Sequence, residues 1–443
     1  MKDLKLAGLR LPIYIVVFVV LLIAIFMGVL PKNMIGAFLF LVVVGELLNI
    51  IGNHCPIIKT YFGGGPIVVI FGGAALVYFK LLPKEVIQMV DSFMKDSIKI
   101  TLEAGGKMKI ATSGFLDFYI AALITGSILG MNRKLLIKAA IRYLPTIIAG
   151  VVVSLGLVAL IGPLVGITTG QAVAYVGIPI MGGGMGAGAV PISQVFEKAL
   201  GIPSDEILSK LVPAVALGNA MAIVAGGLLN KLGKVKPSLT GNGQMMARGT
   251  FEIPDDSAYN PTVKDYTAGI IMATMFFSLG SIIAFLLKKV GVNIHPYAWM
   301  ILSVALAKVL NIIPAEVERA CSAWYKFVAG AWTAALMLGI GMSYTNLGQI
   351  IKAFTPQYVI LCAVVVIGAI IGTGFMGRLL GFNFVEAAIT AGLCMANMGG
   401  TGDVAVLTAS NRMELMPFAQ ISSRLGGAFI IFLASVLVPI FFG

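Results

Sequence analysis

Charge is scarce in this chain. Asp, Glu, Lys and Arg together make up 11% of its 443 residues, against about a quarter in a typical soluble domain. That shortage excludes a water-facing surface over most of the length. Cysteine is sparser still. Cys55, Cys321, Cys362 and Cys394 form no CxxC pair, which argues against a disulfide framework or a zinc site. Two histidines, His54 and His295, cannot build a metal cluster and are expected at membrane–water interfaces. A membrane enzyme would want a nucleophile–base pair or a metal cluster, and neither is visible. The dinucleotide fingerprint is missing too, because no glycine run has the strand, helix and downstream acid it requires. After the basic start at Lys2, Lys5 and Arg10 there is no small-residue cleavage site, so the first apolar run reads as an uncleaved helix.

Apolar residues fill the space. They make up 59% of the chain, and the mean hydropathy is +1.00. Eleven runs read as bilayer-spanning helices: 12–30, 34–52, 65–79, 115–131, 144–164, 207–229, 266–287, 297–313, 324–344, 359–376 and 416–442. Segments 171–199 and 385–410 are also apolar but broken by glycine. Each glycine inside a helix costs about 1 kcal/mol against alanine, so these two are expected as re-entrant hairpins. The fold class is an all-α integral membrane protein with eleven transmembrane helices and two re-entrant helical hairpins.

The net charge of +12 is carried largely by short loops, where it reports topology rather than nucleic acid. Arg133, Lys134, Lys138 and Arg142 should lie in one cytoplasmic loop, and Lys231, Lys234, Lys236 and Arg248 in another. An N-terminus inside and a C-terminus outside satisfy both. The stretch 84–109 then lies outside. Val86, Val90, Phe93 and Ile98 follow helical spacing there, which suggests an amphipathic helix on the outer interface. Under this threading the two hairpins enter from opposite sides. Aligned on Met181 and Met395, they carry the related strings Met181-Gly-Gly-Gly-Met-Gly-Ala-Gly188 and Met395-Ala-Asn-Met-Gly-Gly-Thr-Gly402. The chain divides into an extra first helix (1–33), a first repeat (34–230), a cytoplasmic linker (231–263) and a second repeat (264–443) of inverted orientation. Broken helices in inverted repeats mark secondary transporters.

A helix broken inside the membrane frees amides for a carboxylate and carbonyls for a cation. Small-residue helix packing is the competing reading, but it explains the glycine runs 182–188 and 398–403 less well. Arg424 is the only charged residue in the last span. Arginine near the middle of a span costs about 2.5–3.5 kcal/mol on insertion scales, and its planar fork suits a carboxylate. Snorkelling to the inner interface is the alternative. Ser422 and Ser423 place hydroxyls beside it. Asn397 and Thr401, with carbonyls from Cys394 onwards, offer oxygens for sodium. Asp403 could hold a cation, cap a half-helix or carry a proton. Glu46, Asp117, Lys210, Lys308 and Lys326 read as interfacial or paired groups. An ion channel would line a continuous path with polar rings, and only two separate broken tips are visible.

Four strings carry a resemblance: Ile178-Pro-Ile-Met-Gly-Gly-Gly-Met-Gly-Ala-Gly-Ala-Val-Pro191, Ala391-Gly-Leu-Cys-Met-Ala-Asn397, Gly399-Gly-Thr-Gly-Asp403 and Ala419-Gln-Ile-Ser-Ser-Arg-Leu-Gly-Gly427. On these the chain resembles the 2-hydroxycarboxylate transporter family over nearly its whole length. The resemblance implies a homodimer in the bacterial cytoplasmic membrane. Each protomer would have a scaffold and a mobile transport domain working as an elevator, driven by sodium or, in some relatives, protons. It implies substrate contacts at Arg424, Met185, Gly186, Met398, Gly400 and Thr401. It also implies sodium ligands at Asn397, Thr401 and Ser423, with the Cys394 carbonyl and with Ser422 nearby. Citrate-specific relatives carry Asn at the position of Met185 and Arg at the position of Met398. The loss of that Arg points to malate, or to both acids.

Overall fold

The structure is a computed structural model that describes residues 5–61, 65–95, 97–101, 107–111, 113–131, 133–247, 259–289 and 296–442. A two-stranded turn, β1 (Lys5–Leu6) with β2 (Leu9–Arg10), leads into α1 (Leu11–Phe26), α2 (Met34–His54), α3 (Pro56–Tyr61) and α4 (Gly65–Tyr78). Next come α5 (Lys84–Met94), an antiparallel hairpin of β3 (Ser97–Thr101) and β4 (Lys107–Ala111), α6 (Phe115–Leu129) and α7 (Arg133–Leu164). The first glycine-broken segment comprises α8 (Thr169–Ala172), a π turn Val173–Gly177, α9 (Ile178–Met181), a π turn Met185–Ala189 and α10 (Val190–Leu200). The long helix α11 (Ser204–Val235) follows it. After the linker stand α12 (Val263–Lys288), α13 (Pro296–Val309), α14 (Ala315–Ser343), α15 (Leu347–Ala353) and α16 (Pro356–Leu379). The second broken segment comprises α17 (Phe384–Ala387), a π turn Ala388–Leu393 and α18 (Gly400–Ser410). The chain closes with α19 (Met416–Ile421), a π turn Ser422–Gly426 and α20 (Gly427–Phe442).

Seven helices among the described residues are long and apolar enough to cross a membrane. The remaining four expected runs are apolar helices of 14 to 16 residues: α1, α4, α6 and α13. Local chemistry sets several starts. Asn33 accepts the Ile35 amide at 2.9 Å ahead of α2, and Thr355 accepts the Tyr358 amide ahead of Pro356 in α16. Thr262 and Asp265 form a reciprocal capping box that opens α12.

Three expectations need correction. The stretch 84–109 is helical only in α5. There Val86, Val90 and Phe93 are buried against α2, α6 and α14 rather than laid on the interface. The apolar face finds protein partners that periodicity does not reveal. Ile98 lies in strand β3, where its helical spacing has no meaning. The basic residues from Arg133 to Arg142 form the first turns of α7 instead of a loop, and Lys231 and Lys234 close α11. Lysine and arginine are good helix formers, so a helix can run past the apolar zone. His295 lies outside the described residues, and His54 is exposed in α2.

The helices pack as two bundles. The first gathers α2, α4, α5, α6, α12, α13 and α14, with α1 on its edge. The second gathers α7, both broken segments, α11, α16, α19 and α20. Within a membrane, small residues let helices approach where the hydrophobic effect supplies no drive. A Cβ on Gly372 of α16 would stand 2.6 Å from the Ala149 carbonyl of α7, and one on Gly45 of α2 would stand 2.7 Å from the Ala334 carbonyl of α14. The second bundle packs reciprocally: α10 lies against α20, and α18 against α11.

Residues 240–243 of the linker are docked under the second broken segment. Glu386, 0% exposed, accepts Thr240 Oγ1 at 2.7 Å and the amides of Gly241 and Gly243. It also pairs with Arg412 at 3.1 Å. Arg412 in turn donates to Asn230 and Thr240, so the buried pair is hydrogen-bonded on every side.

Candidate functional site

Both broken segments open at glycines with positive φ: Gly183 (+72°) and Gly184 (+127°) in the first, Gly399 (+76°) in the second. Only glycine adopts such a backbone cheaply. The breaks meet. A Cβ on Gly184 would lie 2.8 Å from the Met398 carbonyl, and one on Gly399 would lie 3.0 Å from the Gly183 carbonyl. Gly183 also abuts the Ser423 carbonyl, at 2.5 Å from a built Cβ. Two tips and the π turn of the last helix are thus in backbone contact.

Beside this junction lies a cavity of about 300 Å³. The second bundle contributes Gly183, Gly184, Met185, Met398, Gly399, Asp403, Ser423 and Arg424 to its walls. The first bundle contributes Tyr119, Ser127, Tyr325 and Thr333. Helical structure restarts at Met185 on one tip and at Gly400 on the other. First-turn amides of a helix lack intrahelical acceptors and carry partial positive charge. Two such N-termini therefore face one cavity. π turns recur at functional sites, and the one at Ser422–Gly426 carries Arg424 to the cavity wall. Arg424 donates to the Ser127 carbonyl and the Tyr325 hydroxyl, both at 3.4 Å, and forms no ion pair among the described residues. It is the only cation lining the cavity among the described residues.

A cluster of oxygens stands beneath the second tip. Asp403, 1% exposed, accepts Ser423 Oγ at 2.8 Å and Asn397 Nδ2 at 2.9 Å. Ser423 Oγ also lies 2.9 Å from the Cys394 carbonyl. Asn397 turns its oxygen to the Gly399 amide at 2.7 Å. The expected residues Asn397, Ser423 and Cys394 therefore converge, with Asp403 at their centre. The Asp403 carboxylate, the Ser423 hydroxyl and the Cys394 carbonyl bring together oxygens that suit a hard cation, while Asn397 turns its amide nitrogen to the carboxylate. Ser422 does not join them. Its hydroxyl is 2.8 Å from Tyr143 Oη and donates to the Phe418 carbonyl, so it serves packing against α7. The step of about 100° per residue around a helix separates neighbouring side chains. Met185 and Met398 line the cavity as expected. Gly186, Gly400 and Thr401 lie outside the residues whose surroundings are described.

Asn219 was not singled out by its sequence. It is buried in α11, accepts the Met398 amide at 3.1 Å, and its Nδ2 has no hydrogen-bond partner among the described residues. A signal exists: Asn219 follows Pro213 at the spacing by which Ser423 follows Pro417. Tyr325 and Ser127 lie on ordinary apolar helices and carry no such mark. Lys308, another intramembrane charge, is paired with Glu318 at 2.7 Å and belongs to the first bundle's packing.

Comparison with known proteins agrees with this architecture. The model of the 2-hydroxycarboxylate transporter family matches residues 6–436. The citrate/sodium symporter of Salmonella typhimurium is 36% identical over 98% of this chain and 94% of its own length. The malate transporter of Lactococcus lactis is 37% identical over 100% of this chain and 99% of its own. The citrate transporter of Leuconostoc mesenteroides is 37% identical over 99% and 94%. These are transporters, which sets the enzyme reading aside. With two broken helices, a shared cavity and a match along nearly its entire length, this chain belongs to the 2-hydroxycarboxylate transporter family.

Proposed function

We propose that the protein is a sodium-coupled symporter of 2-hydroxycarboxylates that favours malate over citrate. The observation that carries this reading is the lone Arg424 on a cavity walled by two helix N-termini, with Met398 also on its wall, at the position where the family resemblance implies arginine in citrate-specific relatives. One guanidinium and two sets of amides can hold one carboxylate firmly and a second through partial charges. A third carboxylate would lack a charged donor, a loss of about 1.5–3 kcal/mol. Sodium is the favoured co-substrate because Asp403, Ser423 and the Cys394 carbonyl gather oxygens beside the substrate cavity. The same buried Asp403 is what a proton-coupled carrier would use, so protons are the second reading.

The two-bundle packing supports an elevator in which the second bundle carries the site past the first. Reciprocal packing of α10 with α20 and of α18 with α11 supports the inverted-repeat division, with the first helix outside it. An inward N-terminus, an outward C-terminus and a homodimer in the bacterial cytoplasmic membrane complete the proposal. The exposed apolar faces of α1 and α12 suit lipid or a partner subunit.

The test is uptake of labelled malate and citrate into proteoliposomes under an imposed sodium or proton gradient, with wild type and Arg424→Ala. Sodium-driven malate uptake that Arg424→Ala abolishes is the expected result. Uptake driven by protons alone would overturn the sodium assignment. Strong preference for citrate would overturn the argument from Met398. Transport of neither acid by folded protein would point to another substrate class.

A further inference from the structure

We propose that Tyr325 is a positioning residue that holds Arg424 against the first bundle while the site is empty, in competition with the substrate carboxylate. The inference rests on the transport reading above and adds what becomes of its central cation between substrates.

Arg424 belongs to the second bundle, yet its hydrogen bonds among the described residues reach the first. Nη1 reaches the Ser127 carbonyl of α6 and Nη2 the Tyr325 hydroxyl of α14, each at 3.4 Å. The guanidinium carbon stands 5.1 Å from the centre of the Tyr325 ring. A ring face attracts a cation more strongly once water is removed. The hydrogen bonds are long, near the limit of useful geometry. A carboxylate would replace them with two short charge-assisted bonds of roughly twice the strength. Substrate therefore takes the guanidinium from the tyrosine, and loss of substrate returns it.

The tyrosine cannot follow a departing arginine. A Cβ on Gly126 of α6 would stand 2.3 Å from both Tyr325 Cβ and the Cys321 carbonyl of α14, so the two helices touch backbone to backbone at this level. Tyr325 is part of a fixed wall. When the second bundle moves empty, it must break the Arg424–Tyr325 contact. When it moves loaded, substrate has already broken it.

Exchange of internal for external substrate never uses the empty carrier, whereas net efflux does. The experiment loads proteoliposomes with labelled malate and measures efflux into buffer with and without unlabelled malate. Exchange should outrun net efflux in the wild type. Tyr325→Leu removes ring and hydroxyl and should raise the ratio of net efflux to exchange about fivefold, while Tyr325→Phe keeps the ring and should raise it about twofold. The KM for external malate should fall in both variants, since a competitor for Arg424 is gone. A merely structural tyrosine would change both rates in proportion, and a simple substrate contact would raise KM. Either result, with the ratio unmoved, overturns the proposal. If Tyr325→Leu does not fold, Tyr325→Phe decides it. A wild type that moves neither malate nor citrate would sink the transport reading, and this proposal with it.

Discussion

At the scale of single residues, the site depends on which charges face the cavity. Restoring the second cation should change the preferred acid. Met398→Arg is expected to shift discrimination towards citrate about tenfold, the worth of one charge-assisted hydrogen bond. Competition of citrate against labelled malate would measure it, and an unchanged ratio would remove Met398 from the specificity argument. Asp403 makes a separate prediction. Among the described residues it is the only acid bonded to Ser423 and Asn397. Asp403→Asn should weaken apparent sodium affinity at least about tenfold while leaving the protein folded, because the neutral amide keeps hydrogen-bonding capacity but loses the charge. Sodium dependence of malate uptake reads this directly. Arg424, Ser423 and Asn397 were legible in the sequence because a polar group in an apolar run is costly and so stands out. Tyr325 and Asn219 were not. An aromatic or an amide on a long helix has many uses, and only the fold brings these two to the junction.

Among the elements, the glycine breaks were the most legible feature, since glycine runs weaken a helix wherever they occur. Both segments do break, at Gly183 and Gly184 and at Gly399. Their contact with each other was beyond any local pattern. Gly184→Ala tests it. The residue has φ +127°, and its Cβ would stand 2.8 Å from the Met398 carbonyl. Transport should fall more than about tenfold through strain and displacement of the facing tip. Gly330→Ala in α14 meets nothing within 4 Å and should be neutral. Equal losses in the two variants would show that the tips tolerate separation. The strands β3 and β4 and the long basic start of α7 escaped sequence reading for one reason. Outside the apolar zone hydropathy no longer fixes structure, and short polar stretches take the form their neighbours allow.

For the whole molecule, the linker matters more than its polar composition suggested. Glu386 and Arg412 are both buried and joined to residues 240–243. Removing one partner strands the other charge. Glu386→Ala should cost about 3–5 kcal/mol and lower the thermal unfolding temperature of detergent-solubilised protein. No change would mean that the pair is dispensable to the second bundle. The seven long spans and the apolar bulk were legible from composition alone. The division into two bundles was implied by resemblance rather than read, because hydropathy reports distance from water and says nothing about which helix touches which.

Among the described residues the second bundle buries two acids, each with a basic residue of the same bundle nearby. Glu386 pairs with Arg412, and Asp403 lines the same cavity as Arg424. Under the proposed motion these four charges travel together and cancel when ionised, so the membrane field exerts no net force on them as a group. Each uncompensated elementary charge would feel about 2.3 kcal/mol per 100 mV. Within the site itself the voltage then acts on the cargo. A dianion carried with two sodium ions would be electrically silent, and a third sodium would turn each turnover into one unit of current.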